Sequence, residues 1–194
     1  GGGMAAGARH TLTRDDYTSD EVYQAERERI FFATWMYAGR AEQAATPGDF
    51  YTVDLAGESL IVTRNAEGEL RAFYNVCRHR GSLICEEPRG HTKAVFQCPY
   101  HAWCYDLDGA LVATPRVGRD EVDRAALPLR RVHVDEWMGF VFVSLAATPA
   151  APLTDTLDAH YDTPLRFADF GLDQLRTGFR TESLVAANWK ILGE

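Results

Sequence analysis

From Trp35 to Leu145 the chain runs in short segments rich in Val, Ile, Tyr and Phe, separated by turn residues, which is the pattern of an antiparallel sheet. Two hairpins stand out. Leu60 to Arg64 and Leu70 to Tyr74 flank Asn65-Ala66-Glu67-Gly68, and Cys104 to Leu107 and Ala110 to Val112 flank Asp108-Gly109. Further strands are expected at Phe50 to Leu55, Ala94 to Gln97, Leu129 to Val134 and Phe140 to Leu145. Ahead of this core, Thr18 to Glu21 fits a T-x-x-E capping box, predicting a helix to about Phe32 with Glu26, Arg27, Glu28 and Arg29 facing water. Behind it, residues 146–152 contain only Ala, Thr and Pro, a linker composition. A polar helical piece around Leu157 to Tyr161, a strand from Leu175 to Val185 and the start of a helix near Asn188 are expected to follow.

At 194 residues the chain can bury about 70% of its unfolded surface, so a core forms without a metal or cross-link to hold it. Any metal is then there for function. The formal net charge of −8 argues against the basic face that nucleic acid or an anionic membrane requires. The longest apolar runs, such as Met138 to Leu145, fall far short of the roughly 18 residues of a membrane span. Gly1-Gly2-Gly3-Met4 has none of the regions of a secretory signal and reads as a cloning remnant ahead of Met4, so a cytoplasmic protein is expected. Four cysteines are too few for a secreted disulfide scaffold, and in a reducing compartment they read as metal ligands, nucleophiles or core residues.

Two segments carry chemistry: Cys77-Arg78-His79-Arg80-Gly81 and Cys98-Pro99-Tyr100-His101-Ala102-Trp103. Each offers one thiolate and one imidazole, and the 18 residues between His79 and Cys98 allow each pair its own loop. Two such loops can pinch one metal centre. A Cys2His2 set is compatible with tetrahedral zinc, although zinc fingers usually pair like with like. Mixed pairs are what a Rieske 2Fe-2S cluster needs, one iron taking two Cys and the other two His. Neutral imidazoles in place of two thiolates remove negative charge, raise the potential and draw the added electron to the His-bound iron.

At these residues the sequence resembles the Rieske non-haem iron oxygenases, in particular the N-terminal, Rieske part of their large subunits. Cys77-x-His79-Arg80-Gly81 and Cys98-Pro99-Tyr100-His101-x-Trp103 match that family's cluster-binding pattern, and Asn188-Trp189-Lys190 resembles the segment that opens its catalytic domain. The resemblance covers roughly residues 15 to 194. It implies a mainly β fold: a Rieske-type antiparallel β domain with two cluster-binding loops, an N-terminal helix, and the start of a truncated α+β catalytic domain. The corresponding divisions are a lead over 1–14, the Rieske domain over 15–148, and a linker with the beginning of the catalytic domain over 149–194. It also implies Cys77, His79, Cys98 and His101 as cluster ligands and, beyond Glu194, a mononuclear Fe(II) held by two His and a carboxylate. No catalytic residue is nominated within the chain.

The implied role is an electron relay from a reductase or ferredoxin to that iron, for hydroxylation, dihydroxylation or oxidative demethylation, in a homo-oligomeric ring, a trimer. A stand-alone Rieske ferredoxin and a structural zinc module are the alternatives; the extension after Pro149 speaks against the first, and an absorption spectrum separates the second. The motifs lean toward relatives acting on quaternary amines such as choline and glycine betaine rather than on aromatics. Where the family usually has Gly after the second ligand His, this chain has Ala102. Cys85 and Cys104 read as buried thiols, and His10, His91, His133 and His160 as non-ligands. Arg78, Arg80, Arg89 and Lys93 flank the loops, where they either brace loop carbonyls or meet an acidic redox partner.

Overall fold

The computed structural model describes residues 11–118, 121–160 and 169–193. Its strands are β1 (Trp35–Arg40), β2 (Asp49–Leu55), β3 (Glu58–Arg64), β4 (Leu70–Tyr74), β5 (Arg89–His91), β6 (Val95–Gln97), β7 (Cys104–Asp106), β8 (Leu111–Ala113), β9 (Arg131–Trp137) and β10 (Phe140–Ser144). They form a seven-stranded sheet in the order β1-β10-β9-β4-β3-β2-β5 and a three-stranded sheet β6-β7-β8, with antiparallel pairing throughout. The strands predicted between Phe50 and Leu145 and both hairpins are present, with ends shifted by at most three residues. Two further hairpins turn on Ala56-Gly57 (φ 51° and 84°) and Met138-Gly139 (φ 49° and 79°). Two successive left-handed residues give a turn whose twist matches that of the strands.

Strand periodicity divides the core in two. Leu60 and Val62 of β3 face Tyr51, Ala72, Val132, Val141 and Val143, whereas Ile61 between them faces Phe50 and Phe73 on the other side. This second face receives the small sheet through Phe96, Trp103, Tyr105, Leu107 and Leu111, and the same cluster takes in Cys77 and Cys98. Gly109 lets the two sheets approach: at φ 84° a Cβ there would sit 2.5 Å from the Phe73 ring. Its carbonyl accepts from the Leu129 amide at 2.8 Å.

The N-terminal region differs from expectation. It is two short helices, α1 (Arg14–Thr18) and α2 (Asp20–Glu26), followed by a π turn over Arg27–Phe31. Asp16 accepts from the Thr13 amide and hydroxyl at 2.6 and 2.8 Å, so a helix starts earlier and Thr18 ends it. Ser19, not Thr18, caps the second helix, accepting from the Val22 amide at 3.4 Å. Glu26 and Arg27 do not face water. Glu26 accepts from Trp189 Nε1 at 2.9 Å and Lys190 Nζ at 2.5 Å, and Arg27 Nε donates to the Ala56 carbonyl at 2.9 Å.

The linker leads into α3 (Leu153–His160), close to the predicted helical piece, of which Tyr161 lies outside the described residues. The strand expected over Leu175 to Val185 is absent, because no sheet edge pairs with it and its side chains are exposed, Leu184 fully. Polar contacts hold this stretch instead. The Arg40 guanidinium donates to the Leu172 and Leu175 carbonyls at 2.8 and 3.0 Å, and Glu42 accepts from the Thr177 amide at 2.7 Å. The chain then enters a 3-10 turn over Trp189–Gly193. Among the described residues no helix is long and apolar enough to cross a membrane.

Candidate metal centre

Both motif loops close with the same two hydrogen bonds. In the first, the Cys77 amide donates to the Ser82 carbonyl at 2.8 Å and the Gly81 amide to the Cys77 carbonyl at 3.0 Å. In the second, the Cys98 amide donates to the Trp103 carbonyl at 2.8 Å and the Ala102 amide to the Cys98 carbonyl at 3.0 Å. The fourth residue after each cysteine is left-handed, Gly81 at φ 72° and Ala102 at φ 57°. This requirement explains why Gly suits the position and why Ala102, with its Cβ, is there at some strain.

The loops bring like donors together. Cys77 and Cys98 are both unbridged and buried in one core cluster, and the His79 and His101 rings stand 4.6 Å apart at 75°. Burial pushes the Cys98 thiol up, while the amides of Tyr100 and His101 bond to its sulfur and favour the thiolate. Desolvation, with His79, Arg80 and Arg116 nearby, holds His101 below the usual histidine range and so neutral, the form that ligates metals. Nδ1 of both histidines is buried without a hydrogen-bond partner among the described residues. A buried nitrogen lone pair left without a partner is costly unless something else takes it up.

Residues around the loops complete the setting. Tyr105, fully buried, places its hydroxyl 3.4 Å from Cys77 Sγ and accepts from the Arg78 amide at 3.0 Å. Asn75, which the sequence reading passed over, pins the first loop: its Oδ1 accepts from the Ile84 and Cys85 amides at 3.0 and 2.9 Å, and its Nδ2 donates to the Cys85 carbonyl at 2.7 Å. Its only sequence signal is a polar side chain two residues before the first cysteine. Cys85 and Cys104 are unbridged thiols at the margin of the core, burial raising Cys85 to about 12. His91 pairs with Asp49 at 2.9 Å and His133 reaches the Ala147 carbonyl at 3.1 Å, both away from the loops; His10 and the side chain of His160 lie outside the described residues. Arg80, Arg89 and Lys93 are exposed and Arg78 is half-buried, its Nε without an acceptor among the described residues.

The donor set fits a Rieske cluster. The two cysteines share one buried cluster and imidazole meets imidazole, as required when each iron takes one type and inorganic sulfide bridges the two. A zinc ion would need all four donors around one point, and among the described residues no three of His, Cys, Asp or Glu gather that way.

Comparison with known proteins agrees. The Rieske [2Fe-2S] domain family matches residues 34–134. The large subunit of anthranilate 1,2-dioxygenase from Acinetobacter baylyi is 34% identical over 193 residues, covering 95% of this chain and 40% of that protein. The oxygenase subunit of glycine betaine monooxygenase from Chromohalobacter salexigens is 35% identical over 185 residues, with the same coverage of 95% and 40%. The structure of the quaternary ammonium Rieske monooxygenase CntA with L-carnitine superposes with a TM-score of 0.86 at 31% identity, over 94% of this chain and 51% of that one. The chain thus spans about 40% of the length of the curated relatives it matches. With its buried cysteines, facing imidazoles and two equivalent turns, the chain belongs to the Rieske [2Fe-2S] domain family and is similar to oxygenase subunits of that kind.

Proposed function

We propose that this chain is the electron-relay part of an oxygenase terminal component, with Cys77 and Cys98 holding one iron of a [2Fe-2S] cluster and His79 and His101 the other through Nδ1. The observation that carries the reading is the pair of buried Nδ1 atoms, without partners among the described residues, on neighbouring imidazoles, beside two cysteines buried in one cluster. A bound cluster of this type supplies reversible one-electron storage. The protein's own part is to exclude water from the sulfurs by burying both cysteines, and to present two neighbouring imidazoles from the two loops. Amides of the second loop and the Tyr105 hydroxyl donate toward the thiolates and so favour the reduced, more negative state.

The similarity to dioxygenase and monooxygenase subunits supports placing a mononuclear Fe(II) in a catalytic domain outside this chain. On this reading residues 15–148 form the relay unit, and 149–194 link to and begin the catalytic domain. The donor is a reductase or ferredoxin, the full-length protein assembles as a homo-oligomeric ring, a trimer, and it works in the cytoplasm. A quaternary amine is the favoured substrate class, supported by the likeness to glycine betaine and carnitine monooxygenases. Full-length protein supplied with its reductase is expected to oxidise glycine betaine, carnitine or choline, and a Cys98→Ala substitution to abolish turnover. Undiminished turnover in that variant contradicts the relay, and turnover confined to aromatic substrates contradicts the substrate class.

A further inference from the structure

The two imidazoles are held unequally. The indole of Trp103 is 4% exposed and lies against the His79 ring, with centroids 4.6 Å apart and planes 12° from parallel. His101 has Tyr100 as its other aromatic neighbour, centroids 3.8 Å apart at 44°, and Tyr100 is 58% exposed. A buried aromatic face at stacking distance blocks rotation of the neighbouring imidazole, because turning drives the ring edge into the indole. An exposed ring can move aside. Trp103 is itself registered by the main chain, since its carbonyl accepts from the Cys98 amide and closes the second loop. Its Nε1 is buried and meets no acceptor among the described residues, so ring contacts rather than a side-chain hydrogen bond to protein hold the indole.

Resting on the ligand set proposed above, we propose that Trp103 is a positioning residue for the metal centre: its stacked indole fixes the plane of the His79 imidazole, and with it the direction of Nδ1. The contact ties the ligand of the first loop to the turn of the second, which makes His79 the rigid imidazole and His101 the adaptable one.

The test uses the cluster-loaded protein and two variants. Trp103→Phe keeps an aromatic face and drops the N–H, whereas Trp103→Leu removes both. Iron and sulfide content is measured together with the nitrogen hyperfine couplings of the imidazoles by pulsed EPR of the reduced state. Trp103→Leu is expected to shift one of the two imidazole couplings, leave the other in place, and speed cluster loss to an iron chelator several-fold. Trp103→Phe is expected to return the wild-type pair and the wild-type loss rate. A Trp103→Leu protein with both couplings unchanged overturns the proposal, as does a Trp103→Phe protein displaced as far as the Leu variant. Should the Leu variant assemble no cluster, the Phe variant decides alone, wild-type couplings supporting the proposal and a shifted coupling overturning it. A wild-type protein without imidazole couplings overturns the ligand set itself, a result distinct from either variant's.

Discussion

Asn75 is 1% exposed and ties the segment that follows Cys77 to β3: it accepts from the Ile84 and Cys85 amides, and its Nδ2 donates to the Cys85 carbonyl and to Ser59 Oγ at 3.3 Å. Replacing it with Ala leaves those buried groups without partners, each worth about 1–3 kcal/mol. Asn75→Ala is therefore expected to lower stability by about 2–4 kcal/mol in denaturant titration, with faster cluster loss. Tyr105 acts on potential instead. Hydrogen bonds to the sulfurs raise a Rieske potential within a range of about −150 to +300 mV. High-potential relatives carry a Ser two places after the second ligand histidine, where this chain has Trp103, so one donor is missing and Tyr105 remains. Voltammetry is expected to place the midpoint in the lower half of that range, and Tyr105→Phe to move it further down; a wild-type midpoint near the upper end contradicts this.

The helices at the N-terminus bury no residue in the core, so their place depends on a polar clamp to the far end of the chain. Glu26 bonds Trp189 and Lys190, the Phe31 and Trp189 rings meet edge to face at 5.2 Å, and the Lys190 ammonium lies 5.6 Å from the Tyr17 ring centre. Hydrogen bonds from Lys190 and then Trp189 hold the Glu26 carboxyl below the usual carboxylate range. A depressed pKa gives stability that is complete above the ordinary value of about 4.3 and lost as pH falls through the folded value. Protection factors of the amides in 14–26, taken relative to the intrinsic exchange rate at each pH, are expected to be high at neutral pH and to fall in acid, and Glu26→Gln to lower them already at neutral pH. Equal exchange in variant and wild type would show the clamp to be idle. The strands were legible because their β-branched and aromatic runs are local signals, as were the four candidate ligands in their short mixed motifs. The Ala56-Gly57 and Met138-Gly139 turns were not, since neither Ala nor Met announces a left-handed residue. β5, Arg-Gly-His, carries no apolar signal and exists only because β2 offers an edge. The apolar pattern of Leu175 to Val185 misled for the converse reason, and the pairing of Glu26 with Lys190 joins residues 164 positions apart.

At the scale of the molecule, one core serves both structure and site. The face of the large sheet carrying Phe50, Ile61 and Phe73 buries the two cysteines along with the small sheet, so the loops project from a rigid base while the opposite face is closed by aliphatic packing. On the proposed reading, such a base would keep the four proposed ligands from the two loops in place when an electron is added. The most direct test of this account is EPR of the dithionite-reduced protein, with iron and acid-labile sulfide measured on the same sample. Two iron and two sulfide per chain are expected, with a rhombic mixed-valence signal coupled to two imidazole nitrogens, one of which disappears in His101→Ala or the signal is lost altogether. Zinc in place of iron, a signal with no imidazole coupling, or a His101→Ala spectrum identical to wild type would contradict it.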